Sequence, residues 1–317
     1  MRLIVLLAAL AAAGMVHAQS FPSRPVTIVV PYPPGGLIDI VARILQPRFQ
    51  QELGGSVVID NRSGAGGNVG AEAVVRATAD GHTLLLANPS LGISPSMYPK
   101  LGYSPLKDLT HVGIYGTVPN VLVVHPSIPA NNVQDLVAHL RRNPGKFNYA
   151  SPGYGTSPQM SMEMFKAMTN TFIVHIPFRG SGPAQAAMLA GETQLMFDNL
   201  PPQLPHIKSG KVRPIAVTSL KRSAAAPEVP TLDEAGLKGY EVTAWFGLSA
   251  PAATPREVIQ RLNQALNNST RDPKVREAIE SRGATVIQDT PEFATAFVKN
   301  EIQKWAPVVK RAGVVPD

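Results

Sequence analysis

The stretch Pro25-Val-Thr-Ile-Val-Val-Pro-Tyr-Pro-Pro-Gly-Gly-Leu-Ile-Asp-Ile-Val-Ala-Arg43 decides the fold. Pro25–Pro31 is a β-branched run bounded by prolines, the pattern of a buried strand. Tyr32-Pro-Pro-Gly-Gly36 interrupts it with residues that shape turns. From Leu37 onward Ile40, Val41, Ile44, Leu45 and Phe49 fall on one helical face, which predicts a helix to about Leu53. Pro47 should kink that helix or end its first half, because it lacks the N–H that the turn needs. Asp39 stands in the first turn, where a carboxylate interacts well with the helix dipole.

The same unit of strand, loop and helix repeats along the chain. Val57–Ile59 is a strand, Asn61–Gly67 a glycine-rich loop and Asn68–Ala77 a helix. Asp80-Gly81 is a turn into the strand Thr83–Ala87, which ends in the polar loop Asn88-Pro89-Ser90. Val112–Tyr115 and Val121–His125 read as two more strands. A second run then begins: helix Gln134–Arg142, strand Phe147–Ala150, loop Ser151–Thr156 and a Met-rich helix near Pro158–Met168. Strand Ile173–Ile176, loop Pro177–Pro183, helix Ala184–Ala190 and strands Leu195–Phe197 and Arg213–Thr218 follow. Residues 222–240 are an irregular connection, Val242–Ser249 is a strand, and 255–269, 273–282 and 291–312 are helices. Alternating strands and helices imply parallel α/β sheets. The order gives two α/β lobes joined by two strand-like crossings. Lobe 1 takes residues 19–117 and 244–317, and lobe 2 takes 118–243. The C-terminal helices pack back on the first lobe, and a cleft between the lobes can hinge.

The length of 317 residues suits two domains. A hydrophobic content of 44% against 16% charged residues is that of a globular chain. The 30 prolines are nearly twice the average share of about 5% and point to many firmly shaped loops. There is no cysteine, which excludes disulfides, thiolate metal sites, a cysteine nucleophile and a lipid-anchored N-terminal cysteine. The net charge of +7 is spread without basic runs, and only 6% of residues are aromatic, which speaks against a nucleic-acid partner. Residues 1–18 combine Arg2, an apolar run to Val16 and the small-x-small site Val16-His17-Ala18, the pattern of a signal peptide cut after Ala18. No later stretch is long and apolar enough to span a bilayer. The mature protein is expected outside the cytoplasm.

Tyr32–Gly36, Asn61–Gly67, Ser151–Thr156 and Arg179–Gly182 each lie between the end of a strand and the start of a helix. Helix N-termini carry free N–H groups and partial positive charge, and glycine lets an anion approach the backbone. In open α/β sheets ligands gather at the carboxyl ends of strands. Four such loops converging on one cleft would hold a small anion. Enzyme motifs fail. Gly64-Ala-Gly-Gly-Asn-Val-Gly70 has Val69 where a dinucleotide fingerprint needs glycine, and no phosphate loop is present. Ser104-Pro-Leu-Lys107 lacks the partner motifs of Ser-x-x-Lys enzymes. The seven histidines are scattered singly, and Met160, Met162, Met164 and Met168 read as core. Neither a metal nor a cofactor is indicated. Asp198, at a strand end, reads equally as a ligand contact or as a local turn stabiliser.

Seven segments together resemble the Bug/TctC family, the exported solute-binding proteins of tripartite tricarboxylate transporters. They are Pro31–Arg43, Asp60-Asn-Arg-Ser-Gly-Ala-Gly-Gly-Asn-Val-Gly70, Asp80-Gly-His-Thr-Leu-Leu-Leu86, Ser151-Pro-Gly-Tyr-Gly-Thr-Ser-Pro158, His175-Ile-Pro-Phe-Arg-Gly180, Met196-Phe-Asp-Asn-Leu-Pro201 and Ala244-Trp-Phe-Gly-Leu248. The resemblance implies a type II periplasmic-binding-protein fold that closes over a small carboxylate held by main-chain amides. It places Tyr32, Pro34, Gly35, Gly36 and Leu37 on one side and Ser151, Gly153, Gly155 and Thr156 opposite. Asn88, Ser90, Arg179 and Asp198 would shape the rest of the cavity. It further implies a non-catalytic monomer working with integral membrane transporter subunits, or in a rival reading with a membrane sensor. Gln159 stands where the family commonly has histidine, and Asn88 where threonine is common. Arg179 reads either as the partner of a second carboxylate or as a surface or interlobe residue. An exported hydrolase is the weaker alternative, because the sequence names no nucleophile–base pair.

Overall fold

The computed structural model describes residues 21–313. The signal segment expected at 1–18 and its cut after Ala18 lie outside the described residues. Strand β1 (Val26–Val30) pairs in parallel with β2 (Val57–Asn61) on one side and β3 (Thr83–Ala87) on the other. It is buried on both faces, which is why its sequence is continuously apolar rather than alternating. β9 (Thr243–Pro251) adds antiparallel to β3, and β4 (Leu109–Val124) adds antiparallel to β9.

β4 holds the two halves together. Its residues Leu109–Pro119 pair with β9, and a short strand, β10 (Thr285–Val286), lies on Gly116 and Thr117. From Asn120 to Val124 it runs instead beside β7 (Leu195–Asn199) and β8 (Arg213–Val217), both antiparallel. β5 (Asn148–Ser151) and β6 (Val174–Pro177) extend that second sheet in parallel. Two strands, Val112–Tyr115 and Val121–His125, are expected here from the sequence. The chain forms one strand of 16 residues. Pro119 is accommodated because it stands where β4 exchanges its partners, and bulges near Gly113 and Gly116 absorb the local misfit. The return crossing runs through Thr218 and Val242. The Thr218 N–H donates to the Asn120 carbonyl at 2.9 Å, and the Val242 N–H donates to the Thr218 carbonyl at 3.0 Å. Both crossings are therefore hydrogen-bonded to each other.

Among the described residues ten α-helices pack on these sheets: α1 (Leu37–Leu53), α2 (Asn68–Val75), α3 (Ser90–Met97), α4 (Val133–Arg142), α5 (Ser157–Thr169), α6 (Ser181–Leu189), α7 (Leu200–Lys208), α8 (Arg256–Arg271), α9 (Pro273–Glu280) and α10 (Pro291–Ala312). α1 runs unbroken through Pro47 and stops at Gly54, whose φ of 75° closes the last turn. Pro47 lies on the exposed face, so the carbonyl it leaves without a donor faces solvent. α3 and α7 are not evident in the sequence. α3 contains Gly92 and Pro95. α7 contains Pro201 and Pro202, which its first turn tolerates because no N–H is needed there, and also Pro205.

Val26, Ile28, Leu45 and Phe49 pack with Leu262 of α8 and Ile279 of α9 in the first core. Leu122, Tyr149, Met160, Met162 and Phe197 form the second, so two of the four methionines are core as expected; Met164 packs against it partly buried, and Met168 is exposed because it falls on the outer face of α5. The last helix packs on the first lobe as expected and on the second as well. Ala294 and Val298 pack beside Trp245, but Trp305 and Val309 share the second core with Met160 and with Ile93 and Met97 of α3. Gly92 makes this possible: a Cβ there would stand 2.8 Å from the Glu301 Cβ.

β4 and β9 approach equally closely at Gly247, where a Cβ would lie 2.5 Å from the carbonyl oxygen of Gly113. Backbone cannot swing aside as a side chain can. Gly247→Ala should therefore lower stability by about 1–3 kcal/mol, measured as a shift in the urea midpoint at unchanged slope.

Candidate functional site

The carboxyl ends of β1, β3, β5, β6 and β7 point toward one side, and α1, α3, α5, α6 and α7 start there. Between them lies a cavity of about 280 Å³, walled by Tyr32–Ile38, Asn88-Pro89, Pro152, Thr156–Pro158, Arg179–Pro183, Gln185, Asn199, Pro202 and Ala244. Its volume suits a small molecule rather than a chain segment. Seven of the lining residues are proline, which accounts for part of the proline excess seen in the sequence. Proline makes a stiff wall and contributes no N–H, so the remaining amides are the donors.

Those donors are left free by design of the sequence. The first N–H groups of a helix have no carbonyl one turn earlier. At α1 the capping position is Gly36 and at α6 it is Gly180; neither has a side chain that could take them. Asp39 fixes the first loop from behind. It accepts the Gly35 N–H at 3.0 Å, the Asn61 amide at 2.9 Å and the Arg43 guanidinium at 3.1 Å. Burial works against its charge, but these donors outweigh it and hold its pKa below the ordinary carboxylate range. The Tyr32 hydroxyl lies 3.1 Å from both the Gly66 carbonyl and the Asn88 Oδ1. Asn88 Oδ1 also accepts the Ser90 N–H at 3.0 Å, so this asparagine starts α3 as well as lining the cavity.

The opposite wall is held in a comparable way. The Thr156 hydroxyl donates to the Gly153 carbonyl at 2.8 Å and caps α5. The Gln159 Oε1 accepts the Gly155 N–H at 2.8 Å. The residue that replaces the family's histidine thus fastens the loop from within the lobe and does not reach the cavity. Gly153, at φ 126°, permits a turn that a side chain would strain.

Of the thirteen residues expected at the site, Tyr32, Pro34, Gly35, Gly36, Leu37, Asn88, Thr156 and Arg179 line the cavity. Ser90, Ser151, Gly153, Gly155 and Asp198 stand behind it. Asp198 is fully buried, with four donors on its two oxygens: Ser181 Oγ, the Asn199 N–H, Gln185 Nε2 at 2.7 Å and Gln203 Nε2 at 3.0 Å. Burial raises its pKa above the usual range despite those bonds. It anchors the starts of α6 and α7 rather than the cavity surface. The loop Asn61–Gly67, expected to line the cleft, instead supports Tyr32 through Gly66. The sequence reading did not assign Ile38, Pro89, Pro152, Ser157, Gln185, Asn199, Pro202 or Ala244 to the wall; only their neighbourhood in the strand–helix loops hinted at them.

Among the described residues, Arg179 is the only charged residue on the wall. It is exposed at the rim and has no ion pair or side-chain hydrogen bond among the described residues. No cluster of three histidine, aspartate or glutamate side chains that could hold a metal occurs among the described residues. A serine–histidine pair does exist: Ser151 Oγ lies 2.6 Å from His175 Nε2. Ser151 is fully buried, it accepts the Gly153 N–H at 3.2 Å, and neither member of the pair lines the cavity. The pair shapes the Gly153 turn. His175 stacks on Tyr149 with ring centres 4.6 Å apart.

The chain from residue 41 to 314 matches the model of the tripartite tricarboxylate transporter family receptor. It is 38% identical to Protein BugT of Bordetella pertussis over 303 residues, 95% of this chain and 93% of that one. An R. palustris protein solved with adipate is 36% identical with a TM-score of 0.88, covering 94% of this chain and 100% of that one. MatC from Rhodopseudomonas palustris, solved with bound malate, is 33% identical with a TM-score of 0.86, covering 91% and 100%. The chain belongs to the tripartite tricarboxylate transporter receptor family. It is a solute-binding receptor, and its family and structural neighbours are binding proteins, not enzymes.

Burial and the nearby Lys166 push the His175 pKa down to about 4, and burial alone does the same to His111. The unfolded chain protonates these rings near pH 6.5. Stability should therefore be full above about pH 6.5 and fall as the pH drops from there to about 4, by up to ~1.4 kcal/mol per pH unit for each histidine. Urea unfolding at stepped pH checks this, and His111→Asn should flatten the slope.

Proposed function

We propose that this family member captures a small carboxylate in the interlobe cavity and delivers it, as a periplasmic monomer, to integral membrane transporter subunits. The observation that carries this reading is the pair of uncapped helix starts, Gly36 and Gly180, facing one cavity whose only charge is Arg179. A carboxylate is the group that such donors suit, since charge-assisted bonds to aligned amides strengthen as water is excluded. One carboxylate sits at Pro34–Ile38 with Thr156 and Ser157 opposite. Arg179, with Ser181 and Gly182, receives a second acidic group. The adipate and malate carried by two solved relatives are both dicarboxylic acids and fit this division. Export follows from residues 1–18, with the cut after Ala18, and accords with a family of periplasmic binding proteins.

Native mass spectrometry of the purified protein, then calorimetry against adipate, malate, monocarboxylic acids and neutral sugars, tests the reading. Saturable sugar binding with no acid bound would overturn it. Gly36→Asp places a capping carboxylate on the α1 amides. A Cβ at Gly36 meets nothing within 4 Å, so the variant should fold with an unchanged or slightly raised melting temperature. Its affinity for the acid should fall by more than tenfold. Arg179→Gln should weaken dicarboxylates by about 10–100-fold and leave monocarboxylates nearly unaffected.

A further inference from the structure

Asn120 is the residue at which β4 changes partners. Pro119 is the last to pair with β9, at Thr243, and Asn120 is the first to pair with β7, at Asn199. It is completely buried, and every polar atom it carries is engaged. Its N–H donates to Thr218 Oγ1 at 2.8 Å, and its carbonyl accepts the Thr218 N–H at 2.9 Å. Its side chain reaches in the other direction. Nδ2 donates to Ser161 Oγ at 2.9 Å, and Ser161 Oγ in turn donates to the Ser157 carbonyl at 2.9 Å. Oδ1 accepts Asn199 Nδ2 at 2.7 Å. Ser157 opens α5 and Asn199 precedes α7, and both line the cavity.

The main chain of Asn120 thus belongs to the crossing between the lobes, and its side chain to two helix starts at the cavity wall. A primary amide carries its donor and its acceptor on separate atoms, so it serves one limb with Nδ2 and the other with Oδ1. Aspartate would lose the donor to Ser161, and leucine would remove both bonds, leaving Ser161 only its link to the Ser157 carbonyl. Thr218 links the same residue to the second crossing through the Val242 N–H, which its carbonyl accepts at 3.0 Å. We infer that Asn120 is a positioning residue that ties the starts of α5 and α7 to both interlobe crossings, so that displacement of either helix start is felt at the hinge.

The chain contains no cysteine, so two engineered cysteines can be labelled without background. Spin labels at Arg62→Cys in the first lobe and Lys208→Cys in the second, both exposed positions, report the interlobe distance. The measurement uses the mature chain with no acid added, so it stands apart from the carboxylate reading: that reading can fail while this one holds, and the reverse. Ser161→Ala cuts the α5 limb, and Asn120→Ser shortens both limbs. The expected result is a broader distance distribution shifted to longer values in both variants, larger for Asn120→Ser. Loss of buried bonds alone would lower the melting temperature and leave the distribution of the folded fraction as in the parent. That outcome in both variants overturns the inference. If Asn120→Ser does not fold, Ser161→Ala decides by the same criterion.

Discussion

The N–H groups at the start of α1 and α6 are the constraint around which the rest is arranged. A donor removed from water without a partner costs about as much as a lost hydrogen bond. Most helices solve this with a serine, threonine or aspartate cap. Here α4, α9 and α10 do so through Asn132, Asp272 and Thr290, all away from the cavity. At Gly36 and Gly180 the chain withholds the cap, and both positions face the cavity. Thr156 also lines the cavity and does cap α5, so the withheld caps are a property of the α1 and α6 starts, whose donors a ligand in the cavity can satisfy.

Holding those donors in place takes a second layer of residues that never reach the cavity. Asp39 grips the first loop, Asp198 the starts of α6 and α7, and Gln159 and the Ser151–His175 pair the turn around Gly153. Each of these contacts is made within a single lobe. Asp39 and Asp198 behind the wall have their own donors and do not draw on the first-turn amides of α1 and α6. The wall itself then presents amides, prolines and one free guanidinium.

The two lobes share more than the crossings. β4 contributes to both sheets, and α10 contributes Val298 to one core and Trp305 to the other. Glu301 lies between, accepting the indole N–H of Trp245 at 3.1 Å and that of Trp305 at 3.0 Å. α10 and the paired crossings therefore join the two lobes at three places, two of them strand-like and one helical.

The amino-acid sequence by itself determined the repeated strand–loop–helix units, the family, and the loops at Tyr32–Gly36, Ser151–Thr156 and Arg179–Gly182, because apolar periodicity and glycine–proline punctuation are local properties. It did not disclose α3 or α7, whose glycine and prolines read as breaks until neighbouring elements bury them. Nor did it show β4 as one strand, because Gly116 is accommodated by a bulge and Pro119 by the exchange of partners beside it, and both depend on the neighbouring strands. The sequence placed Asp198 and Ser151 near the site, and only the tertiary structure decided that they stand behind the wall while Asn199 and Ser157 stand in it. Chain position limits a side chain to a neighbourhood. Which way it faces is fixed by strand register and helix packing, and those depend on residues a hundred positions away.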